Sequence, residues 1–265
     1  MPHIVGMSPL HASRALAATA LGGWLLAGLS CGGGPVSPSA SREQPTLKLS
    51  SAHFRVMADR AGSDLINAIT EALESSYPRF TADLRVGDLP VTSIWLWQDE
   101  DSFYADMASR GSVYRSGAYV RDAHAIALLA VPNAPSAQVA RVAVHEFAHV
   151  VSMAVNPGIA NNPRWLWETV AVYENREFID PATLDYMRAG RYPSLADLNA
   201  DWNASHQVYQ VGAVLAEYIV HEWGMDGLLR LIRTNGNVPG ALAVSVPEFE
   251  AGWRAYLHEK YGLPG

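Results

Sequence analysis

A chain of 265 residues, 49% of them hydrophobic, is long enough for a well-cored domain and excludes a mini-protein that depends on staples. A formal net charge of −7, with Lys and Arg scattered along the chain, offers no basic stripe to neutralise phosphates, so no nucleic acid partner is expected. The single cysteine, Cys31, cannot form a disulfide within the chain, and the fold must rest on its apolar core or on a metal.

Residues 1–30 read as an export signal. Ala15 to Ser30 carries no charge, ends in small residues and follows Arg14, the only Lys or Arg before Cys31. Ala27-Gly28-Leu29-Ser30 before Cys31, with three glycines after it, resembles the cleavage box of bacterial lipoproteins, with Gly28 where those boxes usually carry Leu. Lipidation of Cys31 would tether the chain to a membrane of the cell envelope. An ordinary cleaved signal would leave it periplasmic or secreted. The run is short for a bilayer span and Gly22-Gly23 interrupts it, which argues against a transmembrane helix. Residues 31–46, rich in Gly, Pro and Ser, form the expected flexible tether.

The folded part begins near Leu47, and residues 47–135 mix strand and helix signals. His53 to Met57 and Val91 to Trp97 read as strands. Between them Asp64 to Tyr77 carries helical spacing at Leu65, Ile66, Ile69, Leu73 and Tyr77, up to Pro78. A helix over Asp99 to Met107 follows, then Gly117 to Val120 and Ala125 to Ala130 as a hairpin turning at Arg121-Asp122. Residues 136–265 are mainly helical. Ser136 caps a helix from Ala137 to Val155, which Asn156-Pro157-Gly158 stops. Asn162-Pro163 opens another through Glu177, closed by Asp180-Pro181. Further helices cover His206 to Trp223, Asp226 to Thr234 and Pro247 to Tyr261. The expected fold class is α+β, a small mixed or antiparallel sheet lobe followed by a helical lobe.

His145-Glu146-Phe147-Ala148-His149 stands within the first helix of the second lobe. A spacing of four turns the imidazoles to within about 40 degrees of each other on one face, so both can reach one metal ion. Glu146 lies beside that ion, placed to take a proton from an attacking water. From Val142 to Val155 these three are the only charged or titratable side chains. An apolar helix buries such groups at a cost of several kcal/mol each unless something partners them, and a metal supplies the partner. Catalytic zinc takes three protein ligands and keeps one open position. Glu168, one acid in the largely apolar stretch Pro163 to Glu168, sits where a helix-turn-helix would fold it back over the imidazoles.

H-E-x-x-H followed by P-x-W-L-x-E-x-x-A-x-Y resembles the gluzincin peptidases, the thermolysin-like clan, and in particular their short bacterial MA-like members, over roughly Ser50 to Leu263. The resemblance implies a zincin-like fold with the motif helix between the lobes, zinc ligands at His145, His149 and Glu168, and general-base work by Glu146. Thr169 stands where such relatives commonly carry Gly. They also need a donor for the oxyanion of the tetrahedral intermediate. Tyr209 is the candidate, because Tyr209-Gln210-Val211-Gly212-Ala213 resembles their Y-x-x-G-A stretch. A core aromatic is its alternative role, with His206, otherwise a cap or surface residue, as its substitute. In gluzincins an edge strand before the metal helix pairs with an extended peptide substrate, which points to Ala125 to Ala130 here.

Other residues carry weaker signals. His221-Glu222 and His258-Glu259 lack the second His, Asn175 is either an outer support of the site or a surface residue, and His53 and His124 have no ligand spacing. Trp165 and Trp167 line either a pocket or the core. The competing functional class is a zinc-stabilised envelope lipoprotein that binds peptides or partner proteins without cutting them.

Overall fold

The computed structural model of the chain describes residues 44–110, 117–200 and 206–265. Cys31, the signal-like run and nearly all of the tether lie outside the described residues. Among the described residues no helix is long and apolar enough to cross a membrane.

Alternating apolar residues build a five-stranded mixed sheet from β1 (Thr46–Ser50), β2 (Phe54–Ala58), β3 (Thr92–Trp97), β4 (Ala118–Asp122) and β5 (Ala125–Leu129). The order is β1-β2-β3-β5-β4, with β2, β3 and β5 parallel and the two outer strands antiparallel to their neighbours. Because side chains alternate across a strand, the sheet has two distinct faces. Phe54, Val56, Ile94, Leu96, Ile126 and Leu128 face the large core shared with α1 (Ser63–Asp83) and α3 (Ser136–Val155). Trp97, Tyr119 and Ala127 face Phe103 and Met107 of α2 (Glu100–Ser109), whose first turn is capped by Asp99. Asp106 of α2 accepts from the Tyr119 hydroxyl, Arg110 and Arg121, and Arg121 lies 3.8 Å over the Trp95 ring. Strand β4 is thereby fastened to α2 on the face away from α3.

The large core continues from Phe54 to Leu263, so the two expected lobes share one interior. Helix α3 is buried from Ala143 through Ser152 on every side, as a helix apolar all round should be. Phe147 packs against Phe54, Tyr77 and Phe80, which leaves the opposite face of α3, with His145 and His149, for α4 (Arg164–Glu174). Two short helices, α5 (Asp185–Arg188) and α6 (Leu195–Leu198), lead to α7 (Gln207–Arg233), which packs along α4 and breaks at Gly224, φ 66° and ψ 179°. Helices α8 (Val238–Leu242) and α9 (Val246–Tyr261) close the fold.

Four expectations need correction. Helix α1 passes through Pro78 to Asp83, because Tyr77 and Phe80 continue its buried stripe. Burying each ring is worth about 1.5–3 kcal/mol, which offsets the roughly 3 kcal/mol cost of an interior proline. Helix α4 stops at Glu174, where Arg176 adopts φ 57° and Glu177 N–H returns to the Val172 carbonyl at 2.9 Å. The hairpin turns later than expected, pairing Asp122 with Ala125. Strand β5 is not an edge: it pairs with β3 on one side and β4 on the other, so the edge near α3 is β4.

Candidate metal centre

Helices α3 and α4 bring together the three side chains that the sequence proposed as ligands. His145 Nε2 lies 3.2 Å and His149 Nε2 3.6 Å from Glu168 Oε2, and the imidazole centroids are 4.9 Å apart with their planes at 83°. His145 and His149 are 0% exposed and Glu168 1%. A tetrahedral ion with bonds of about 2.05 Å separates neighbouring ligand atoms by about 3.3 Å, and the two nitrogen-to-carboxylate distances bracket that edge. Among the described residues this is the His/Cys/Asp/Glu cluster whose geometry could hold a metal ion.

The polar bookkeeping agrees. Neither carboxylate oxygen of Glu146 and neither ring nitrogen of His149 has a hydrogen-bond partner among the described residues, although all are buried. Groups left unpaired in an interior cost free energy, and an ion with its attendant solvent would partner them. Burial pushes the Glu146 carboxyl up to about 8 and the His149 imidazole down to about 4. For the coupled pair of His145 and Glu168, burial works against charge on both, yet their mutual contact wins. The His145 imidazole is held above its usual range, with help from Glu177, and the Glu168 carboxyl below its own. A cation bound by the three side chains would take over the role that a proton on His145 plays without one.

The surroundings set the positions of the ligands. Trp167, on the turn that carries Glu168, stacks on His149 with centroids 4.1 Å apart and planes parallel to 1°. Both Trp165 and Trp167 are core residues, at 4% and 1% exposed. Arg164, the first residue of α4, donates its backbone N–H to Asn199 Oδ1 at 2.7 Å and its guanidinium to the Ala200 carbonyl at 2.9 Å. Thr169, which replaces the expected glycine, is fully buried and is accommodated from the facing helix. A Cβ on Gly212 of α7 would come within 2.7 Å of Val172 Cγ2 and 3.2 Å of Thr169 Cα.

Tyr209 falls beside the cluster, its ring centroid 6.2 Å from that of His145 and its hydroxyl in hydrogen-bond contact with Glu168 and Arg164. Burial and the Glu168 charge push its pKa well up, so the hydroxyl keeps its proton and can donate. His206, one turn earlier, is exposed at the start of α7. His221 and His258 are exposed on helices, and His53 stacks on Tyr77 and pairs with Glu74 at 2.6 Å. Asn175 donates to the Arg141 carbonyl at 3.0 Å and to Glu177, so it supports the site through a neighbour. Glu177 itself escaped the sequence reading: its Oε2 faces His145 Nδ1 at 3.5 Å. Nine residues beyond Glu168 and past the end of α4, it obeys no helical spacing that could have announced it.

No family model matches this chain, and no curated protein matches it. The functional reading rests on the residues of the site.

Proposed function

We propose that the chain is a zinc-dependent peptidase of gluzincin type, with a zincin-like fold, in which His145, His149 and Glu168 hold the metal. The supporting observation is the convergence of these buried side chains at separations that one ion could bridge, beside a buried carboxylate, Glu146, that has no hydrogen-bond partner among the described residues. When bound, zinc would polarise the peptide carbonyl and make an attacking water more acidic. Glu146 takes the proton from that water and passes it to the leaving amine. Tyr209 donates to the oxyanion from the side of Glu168. An extended peptide lies antiparallel to β4, whose outer side has no strand partner among the described residues. Export and attachment through a lipid on Cys31 complete the proposal, on the strength of the sequence before and after that residue.

A second reading, a zinc-binding envelope lipoprotein that binds peptides without cutting them, is favoured by one observation: His145, Glu146, His149 and Glu168 are at most 1% exposed. One experiment separates the two. Purified wild type and Glu146→Gln are assayed for zinc content and for cleavage of a peptide library read by mass spectrometry. The peptidase reading expects one zinc per chain in both proteins and cleavage in wild type only. Equal cleavage by both, or none by fully zinc-loaded wild type, refutes it.

A further inference from the structure

The two imidazoles of the cluster are the same residue type on the same helix, but their outward nitrogens meet different surroundings. His149 Nδ1 is buried without a hydrogen-bond partner among the described residues, and that ring is held by the parallel face of Trp167. His145 Nδ1 likewise makes no hydrogen bond of normal geometry, but a carboxylate oxygen, Glu177 Oε2, stands 3.5 Å from it, with the imidazole 0% and the Glu177 side chain 32% exposed. The carboxylate arrives there through a chain of local contacts. Helix α4 ends at Glu174, Arg176 turns left-handed at φ 57°, and Glu177 N–H bonds the Val172 carbonyl at 2.9 Å. The other oxygen of Glu177 accepts from Asn175 Nδ2, which also donates to the Arg141 carbonyl at 3.0 Å, one turn before His145 on α3. The end of the helix that carries one ligand thus reaches back to the helix that carries the other two.

We infer that Glu177 is a positioning residue of the metal centre: it fixes the proton of His145 on Nδ1, leaves Nε2 free for the metal, and is itself aimed by Asn175. A carboxylate behind a ligating imidazole sets tautomer and orientation and makes the nitrogen on the metal side more basic. Glu177 Oε1 accepts from Asn175, and Glu177 Oε2 is the carboxylate oxygen that stands next to His145 Nδ1. A glutamine offers a single acceptor oxygen, so Glu177→Gln sets donor against donor at either His145 or Asn175. This inference rests on the metal reading of the site and is independent of peptide cleavage.

The test is zinc binding by chelator competition on the full chain, together with melting of the metal-free protein and the ¹⁵N-histidine NMR spectrum of the zinc form. Glu177→Gln should lower zinc affinity about 10–100-fold. Its far-UV circular dichroism should match wild type, while the metal-free form should melt somewhat lower, because Glu177 also faces His145 there. The Nδ1 proton signal of His145 should move upfield, with that of His149 unchanged. Asn175→Ala, which leaves the carboxylate in place but unaimed, should give a smaller loss in the same direction. Unchanged zinc affinity in both variants overturns the inference. A loss of zinc affinity with the His145 Nδ1 signal unmoved does so as well, since it marks a purely structural role. A wild type that takes up no zinc overturns both this inference and the proposed function, whereas zinc binding without cleavage counts against the peptidase reading alone.

Discussion

Gly212→Ala sets two physical effects of opposite sign against each other. In a helix interior, alanine is favoured over glycine by about 1 kcal/mol, so propensity alone makes the substitution stabilising. Packing opposes it. The new methyl would sit 2.7 Å from Val172 Cγ2 and 3.2 Å from Thr169 Cα, where carbon atoms prefer about 3.5–4.0 Å. Thr169 and Val172 are both fully buried, so neither can swing away, and α7 must part from α4 by several tenths of an ångström. Overpacking of this kind costs about 1–3 kcal/mol. A 2.7 Å approach between buried groups belongs to the upper part of that range, so about 1–2 kcal/mol remains after the propensity gain. At about 2–4 °C per kcal/mol for a domain of this size, the melting temperature should fall by roughly 2–8 °C. Glu168 precedes Thr169 on the displaced helix, so zinc affinity should fall as well. In a Val172→Ala background the same substitution should cost less, because the closest contact is gone. Thermal and urea denaturation of the four proteins of this cycle measure the effect. A neutral or stabilised Gly212→Ala would show that α4 and α7 are not in contact at Thr169, and the placement of Glu168 would lose its support.

Glu174, fully buried against Arg79 at 2.7 Å, supplies a pH dependence. Burial, opposed by Arg79, raises its carboxyl from 4.5 to about 7, so stability is fully present below pH 4.5 and falls as pH rises through 7. Relative to Glu174→Gln, the wild type should lose about 3 kcal/mol of unfolding free energy between pH 4 and pH 8 by urea titration; a constant difference would contradict the shift. Tyr209→Phe should lower kcat for peptide cleavage by about 10²–10³-fold while leaving zinc content intact. An unchanged kcat would return Tyr209 to a core role.

Local chemistry made much of this legible. Strands β2, β3 and β5 follow from alternating or continuous apolar runs, and α3 from a long apolar stretch bounded by Ser136 and Asn156-Pro157-Gly158. The ligands were legible because His145 and His149 share a helix face and Glu168 is an acid among apolar neighbours. What stayed hidden depends on distant partners. Strand β1 lies at the sheet edge with Leu47 54% exposed, so it has no buried pattern to read. Which of β4 and β5 forms the edge was legible but missed: β5 is a continuous apolar run, as a central parallel strand should be, whereas β4 carries Arg121 and Asp122. The passage of α1 through Pro78 depends on Phe54 and Phe147 being present to receive Tyr77. Glu177 reaches His145 because Arg176 turns left-handed, a conformation that its side chain gives no reason to expect.

X-ray absorption at the zinc edge of the metal-loaded wild type, alongside His149→Ala and Glu168→Ala, bears most directly on the site. The spectrum should fit one zinc per chain with two imidazole nitrogens, one carboxylate oxygen and one exchangeable light atom, and both variants should lose the ion. A first shell filled by four protein groups, or a Glu168→Ala protein that keeps the wild-type spectrum, would contradict the proposed centre.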